Sequence, residues 1–224
     1  MKHYVICGFP RAGSTMLYLM FKHSTNSCKF YDKEMPALQV LSCQETQITK
    51  RPRDIFKVDQ ILEKTDAEFI LTIRDPRDVL TSIHADSKNK YKVNWNYSLK
   101  TGRKGIAGKT EGLLKYWKTL KTVPDPIIVY YEDLVNNPNE NQMFLETQMP
   151  DFDFHSNFTD FYKKEPPEKL SHQLNGIRPP NTDTIGRWKK HPERIKQQFE
   201  ECPELFNMLI ELGYEDNKEW FTSI

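Results

Sequence analysis

No apolar run in this chain approaches the roughly 18–20 residues that a membrane-spanning helix needs, so no membrane partner is expected. Residues Met1 to Gly8 enter an apolar stretch of only about four residues before a Gly/Pro turn, short of the roughly 7–15-residue core of a secretory signal. A cytoplasmic location is therefore the expectation. Cysteine is scarce and scattered: Cys7, Cys28, Cys43 and Cys202 form no C-x-x-C pair, which argues against a disulfide framework and for reduced thiols. The six histidines show no H-E-x-x-H or comparable ligand spacing, so no metal is expected. Excess charge of one sign is also missing. The 32 Lys and Arg against 31 Asp and Glu leave a formal charge of +1, unlike a whole-surface nucleic-acid binder, and no nucleic-acid partner is expected.

What is present suits one compact domain over residues 1–224: 38% apolar and 12% aromatic residues are ample core material. Tyr4-Val5-Ile6-Cys7 reads as a short buried strand. It runs into a Gly/Pro turn and then a helical periodicity through Met16, Leu17, Leu19, Met20 and Phe21. Phe69 to Ile73 and Ile127 to Tyr131 read as two further strands, and Phe56-Lys57-Val58 as a shorter one. Helices are expected after Pro76, over 111–120, and over 192–213 with a break at Pro203. Short apolar strands alternating with helices predict an α/β fold, three-layer α/β/α around a mainly parallel sheet. Two stretches look irregular: a polar, glycine-dotted one at 86–110 and a Pro/Asn-rich one at 150–186.

The strand–turn–helix at the N-terminus is the most informative feature. Gly8-x-x-x-x-Gly13-Ser14-Thr15 has P-loop glycine spacing, which lets several backbone N–H groups face one anion at the positive end of a helix. The Walker lysine is absent. Ser14 stands in its place, Thr15 keeps the hydroxyl, and the cation, Arg11, lies inside the loop. A second candidate anion site is Arg74-Asp75-Pro76-Arg77-Asp78, which follows a strand and opens a helix, with Ser82 expected to face inward about two turns along. The alternative for that segment is a salt-bridged helix start, with Asp75 and Asp78 as caps paired to Arg74 and Arg77.

Pro10-Arg11-Ala12-Gly13-Ser14-Thr15 resembles the 5′-phosphosulfate loop of sulfotransferases, commonly Pro-Lys/Arg-Ser-Gly-Thr-Thr; Ala12 and Ser14 depart from that pattern. The family moves a sulfuryl group from 3′-phosphoadenosine 5′-phosphosulfate (PAPS). The spaced motifs look closer to the tyrosylprotein, glycan and bacterial-type branches than to the cytosolic small-molecule enzymes. The resemblance implies that Arg11 meets the sulfate oxygens and that Ala12, Gly13, Ser14 and Thr15 surround the 5′-phosphate. Sulfotransferases also carry an Arg and a Ser eight residues apart that bind the 3′-phosphate, a spacing that Arg74 and Ser82 reproduce. Tyr130-Tyr131-Glu132-Asp133-Leu134 is similar to a family segment in which the position of Tyr131 touches adenosine. Gly186-Arg187-Trp188-Lys189 resembles, more loosely, a late segment that folds over the cofactor. That implies Arg187 or Lys189 at the 3′-phosphate and Trp188 near the base, with Arg178 a weaker candidate and Trp188 in the core the alternative.

Sulfuryl transfer needs a base for the acceptor proton and cations for the charge growing on the leaving oxygen. Arg11 and Lys57 fit the second task. Glu34 follows the first helix at a distance resembling the family's catalytic Glu, with Asp59, Asp32 and His84 as alternatives. The implied reaction is O-sulfation of a hydroxyl acceptor (a glycan, a small molecule or a tyrosyl peptide) with release of PAP and no metal. The competing readings are a P-loop kinase using ATP and Mg²⁺, and a non-catalytic nucleotide-binding module. The neutral total charge also hides an uneven distribution. Residues 86–110 hold seven Lys and Arg against Asp86, a local +6, leaving −5 elsewhere. That loop either steers an anionic donor or acceptor or is solvated surface.

Overall fold

The computed structural model describes residues 1–83, 91–95, 112–164, 168, 170 and 177–224. By compactness the chain divides into two units. One combines Met1–Ile73 with Val123–Thr182, the other Arg74–Thr122 with Asp183–Ile224.

The first unit holds a four-stranded sheet in the order β2-β1-β3-β4, with every pairing parallel. The strands are β1 (His3–Gly8), β2 (Gln47–Lys50), β3 (Glu68–Ile73) and β4 (Ile127–Tyr130). All six residues of β1 are buried, and in β3 all but Glu68. Burial on both faces is what a parallel sheet covered by helices requires, and it explains why these strands read as unbroken apolar runs. The α/β class expected from the sequence is the fold observed. Helix α1 (Ser14–Ser24) packs on β1 and β2. Its other neighbour is the segment around Phe158–Lys163, where Phe21 meets the edges of Phe152 and Phe158 and a tilted Phe154. Part of the expected irregular stretch 150–186 is therefore core. Helices α2 (Val58–Leu62), α5 (Tyr131–Asn136) and α6 (Pro138–Gln148) complete the unit.

One expected strand does not form. Phe56-Lys57-Val58 spans the end of a 3₁₀ helix, Pro52–Lys57, and the start of α2. Pro52 at the first helical position presets that turn, since its missing N–H costs nothing there. The strand beside β1 is instead Gln47–Lys50, whose four residues are all buried although only Ile48 is aliphatic.

The second unit contains α3 (Pro76–Leu80), α4 (Leu113–Leu120), α7 (Pro192–Glu201) and α8 (Glu204–Glu211). The break at Pro203 falls between α7 and α8, as the sequence predicts. Helix α3 is shorter than expected. It ends at Leu80, where Thr81 turns its hydroxyl back to the Arg77 carbonyl (2.9 Å), so Ser82 lies beyond the helix. Most of the basic loop, including Lys88, Lys90, Lys100, Arg103, Lys104 and Lys109, lies outside the described residues, as does His84. No helix among the described residues is long and apolar enough to cross a membrane.

Candidate active site

The sheet order places the chemistry. From β1 the chain passes to β2 on one side, then returns to β3 on the other, so the direction of winding reverses at the β1/β3 pair. In open parallel sheets the crevice outside the carboxyl ends at such a point is where ligands bind. The loop 8–13 leaves β1 there. Gly8 adopts φ +121°, and a Cβ on it would stand 2.5 Å from the Thr72 carbonyl oxygen on β3. Phe9 N–H donates to that same carbonyl at 2.9 Å. Only glycine lets the chain turn this close to β3.

Arg11 and Gly13 both take left-handed backbone, at φ +63° and +80°. Such alternation curls successive N–H groups toward one point and forms an anion nest. Gly13 is the N-cap of α1 with no side-chain cap, and the first turn carries no acidic residue, so the helix presents its positive end unopposed by a carboxylate. Ala12, Ser14 and Thr15 are buried in this turn. The residues therefore fit a phosphate or phosphosulfate group. Tyr131, at the start of α5, lies on the loop: a Cβ at Gly13 would meet its Cδ2 at 2.7 Å.

Of the candidate bases in this unit, Glu34 is held by a buried cation. Lys50, at the carboxyl end of β2, donates from Nζ to Glu34 Oε1 at 2.5 Å with its side chain only 2% exposed. Burial pulls the Lys50 ammonium below its ordinary pKa; Glu34 opposes that shift, and the nearby Arg11 charge adds to it. Glu34, Lys50 and Arg11 thus form one electrostatic group. Asp54 is buried beside them, accepting from the Ala37 N–H at 2.8 Å, and desolvation raises its carboxyl above the usual range. Asp32 is exposed and pairs with Lys22. Asp59 and Lys57 are exposed as well, Asp59 at the start of α2. Sequence reasoning missed Lys50. The residue sits in a four-residue strand with a single aliphatic side chain, and the neighbouring Phe56-Lys57-Val58 offered a stronger strand pattern.

In the second unit, Arg74 is 9% exposed in its side chain; it lies 3.6 Å from Asp78 and donates to the Thr184 carbonyl. Asp78 is fully buried and accepts from the Gly186 N–H at 2.8 Å and the Trp188 N–H at 3.0 Å. Two backbone donors of the late Gly-Arg-Trp-Lys segment, those of Gly186 and Trp188, are thus engaged by Asp78. Asp75 caps α3 by accepting from the Arg77 N–H at 2.8 Å. Trp188 is buried in this unit, whereas Arg187 and Lys189 are exposed, with Arg187 Nε donating to the Asp183 carbonyl. Ser82 is half-buried. The salt-bridged helix start and the anion site envisaged for this segment therefore draw on the same residues. Among the described residues, no group of three or more His, Cys, Asp or Glu could hold a metal ion.

A glycine-bearing loop without a Walker lysine leaves the sheet at its reversal point. The chain belongs to the sulfotransferase family: the family description "Sulfotransferase domain" matches residues 1–201. Among solved structures, the chain is similar to the sulfotransferase domain from the Synechococcus PCC 7002 olefin synthase. The TM-score is 0.55 at 16% identity, over 84% of this chain and 87% of that one, a likeness of fold. Comparison with curated proteins finds no match.

Proposed function

We propose that this sulfotransferase moves the sulfuryl group of PAPS to a hydroxyl acceptor and releases PAP. The observation that carries the reading is the loop 8–15. Its left-handed Arg11 and Gly13, buried hydroxyl residues and carboxylate-free helix start suit the phosphosulfate end of the donor. In this reading Arg11 contacts the sulfate, Ser14, Thr15 and the backbone of Ala12 and Gly13 hold the 5′-phosphate, and Tyr131 meets the adenosine side. Arg74 and Ser82 take the 3′-phosphate, with Arg187 and Lys189 as peripheral cations and Trp188 as packing beneath them. The four unbonded thiols support a reducing, cytoplasmic setting.

Glu34 is the base. It takes the acceptor's O–H proton as the acceptor oxygen bonds to sulfur and the bond from sulfur to the bridging phosphate oxygen breaks. Charge grows on that leaving oxygen, and Arg11 with Lys50 offsets it. Lys57 is a second candidate cation, close enough to Asp54 to oppose the desolvation that raises its carboxyl. Asp59 is the reserve carboxylate. The acceptor is a glycan, a small molecule or a tyrosyl peptide.

Calorimetry with PAP, and separately with ATP and Mg²⁺, tests the donor class. PAP binding that survives EDTA is the expected result. A preference for ATP with Mg²⁺ overturns the reading in favour of a kinase. An acceptor screen with labelled PAPS then identifies the hydroxyl, and tight PAP binding with no transfer to any acceptor would leave a binding module instead.

A further inference from the structure

The C-terminal segment lies beyond the matched residues 1–201, yet it reaches the turn that carries Arg74. Arg77 is the contact. Its side chain is 4% exposed, and its guanidinium sits in the corner made by two indoles, 4.2 Å from the Trp188 ring centre and 4.7 Å from that of Trp220. One edge forks onto Asp75, with Nε 3.0 and 3.1 Å from its two oxygens and Nη2 2.8 Å from Oδ2. Nη1 donates to Glu215. Trp220 is itself fixed by edge contacts with Trp188 at 5.5 Å and Phe199 at 5.2 Å.

Helix α3 has only five residues, too few to hold its own shape. Its geometry comes from these contacts and from Asp78, which ties Arg74 to the backbone of Gly186 and Trp188. A guanidinium packed against two rings and forked onto a carboxylate has little rotational freedom.

We infer that Glu215 and Trp220 are positioning residues for the 3′-phosphate site: by clamping Arg77 they fix the turn from which Arg74 projects. The inference rests on the proposed role of Arg74. A purely structural tail would change stability and treat all nucleotides alike. A positioning tail acts selectively on ligands that carry a 3′-phosphate.

The test compares dissociation constants for PAP and for 5′-AMP, which lacks that phosphate, in the full chain. The variants are Trp220→Leu, Trp220→Phe, Glu215→Gln and Arg74→Ala, with near-UV circular dichroism to confirm packing. Arg74→Ala should erase the preference for PAP. Trp220→Leu and Glu215→Gln should each weaken PAP about tenfold while 5′-AMP stays within about twofold, and Trp220→Phe should restore most of the preference. If Arg74→Ala erases the preference but Glu215→Gln and a folded Trp220→Leu protein leave it intact, the clamp is only structural and the inference fails. If Arg74→Ala leaves the preference unchanged, the assignment of the 3′-phosphate to Arg74 fails and takes the inference with it. Should Trp220→Leu not fold, Glu215→Gln decides, because Glu215 is 25% exposed and its amide keeps the shape.

Discussion

The Glu34–Lys50 pair should be asymmetric in its energetics. Removing one partner of a fully buried ion pair costs about 3–5 kcal/mol, because an uncompensated charge stays behind. Here the two ends differ: the Lys50 side chain is 2% exposed and that of Glu34 is 38% exposed. Lys50→Met leaves a carboxylate that water reaches, so the cost should stay under about 1 kcal/mol. Glu34→Gln leaves a buried ammonium. Its cost is capped, because Lys50 can shed its proton, and burial already pulls it that way. We expect a loss of about 2–3 kcal/mol near pH 7, below the full cost of stranding a buried charge. The sign of the pH dependence follows. A lysine whose folded pKa is below 10.5 binds fewer protons folded than unfolded, so stability rises with pH up to that value. In Glu34→Gln the window extends lower, and part of the lost stability should return as the pH rises toward 10.5. Urea unfolding at several pH values measures this, and Glu34→Gln/Lys50→Met should be more stable than Glu34→Gln alone. Equal, pH-independent losses in the two single variants would refute the reasoning.

In the same Glu34→Gln protein, kcat should fall by about 10²–10⁴ with donor binding retained, as loss of a general base does; an unchanged kcat moves the role to Asp59. Gly8→Ala drives a Cβ to 2.5 Å from the Thr72 carbonyl at a φ of +121°, so it should cost more than about 2 kcal/mol and reduce soluble yield. A thermal unfolding midpoint within a degree of the parent would contradict that. His3 is buried against Thr49 (2.9 Å), and desolvation pushes it down to about 4. The folded state therefore resists its protonation. Stability should be full above pH 6.5 and fall by up to about 3 kcal/mol toward pH 4. His3→Gln should flatten that acid limb, and an unchanged slope would assign the loss to other groups.

The parts of this fold that were legible in the sequence are those where one cause dominates. β1, β3 and β4 are apolar runs ended by Gly, Arg or Tyr-Glu-Asp signals, and the glycine spacing marks the phosphate loop. β2 was not legible. Its burial comes from pairing with β1, in the register Ile6 to Lys50, and not from its own composition. Lys50 could be found only by asking which cation ends that strand. Phe56-Lys57-Val58 misled because aromatic and β-branched residues favour strands, whereas Pro52 had already started a 3₁₀ turn. The shortness of α3, and with it the position of Ser82, followed from Thr81, a back-bonding residue that sequence periodicity does not see. The role of Trp220 was hidden by distance along the chain: Arg77 and Glu215 are 138 residues apart.

Asp78 has a consequence for how the protein is made. Its two backbone donors lie 108 and 110 residues further along the chain. Closing a loop of that length costs about 4 kcal/mol of chain entropy before any contact forms. During synthesis, a ribosome that has released residue 83 has exposed the α3 segment with Asp78 and Arg77 still lacking these distant partners. They remain so until the segment carrying Gly186, Trp188 and Trp220 emerges. The second unit is therefore completed only after that segment has been made, and the interval before completion is when this chain is most open to proteases and chaperones.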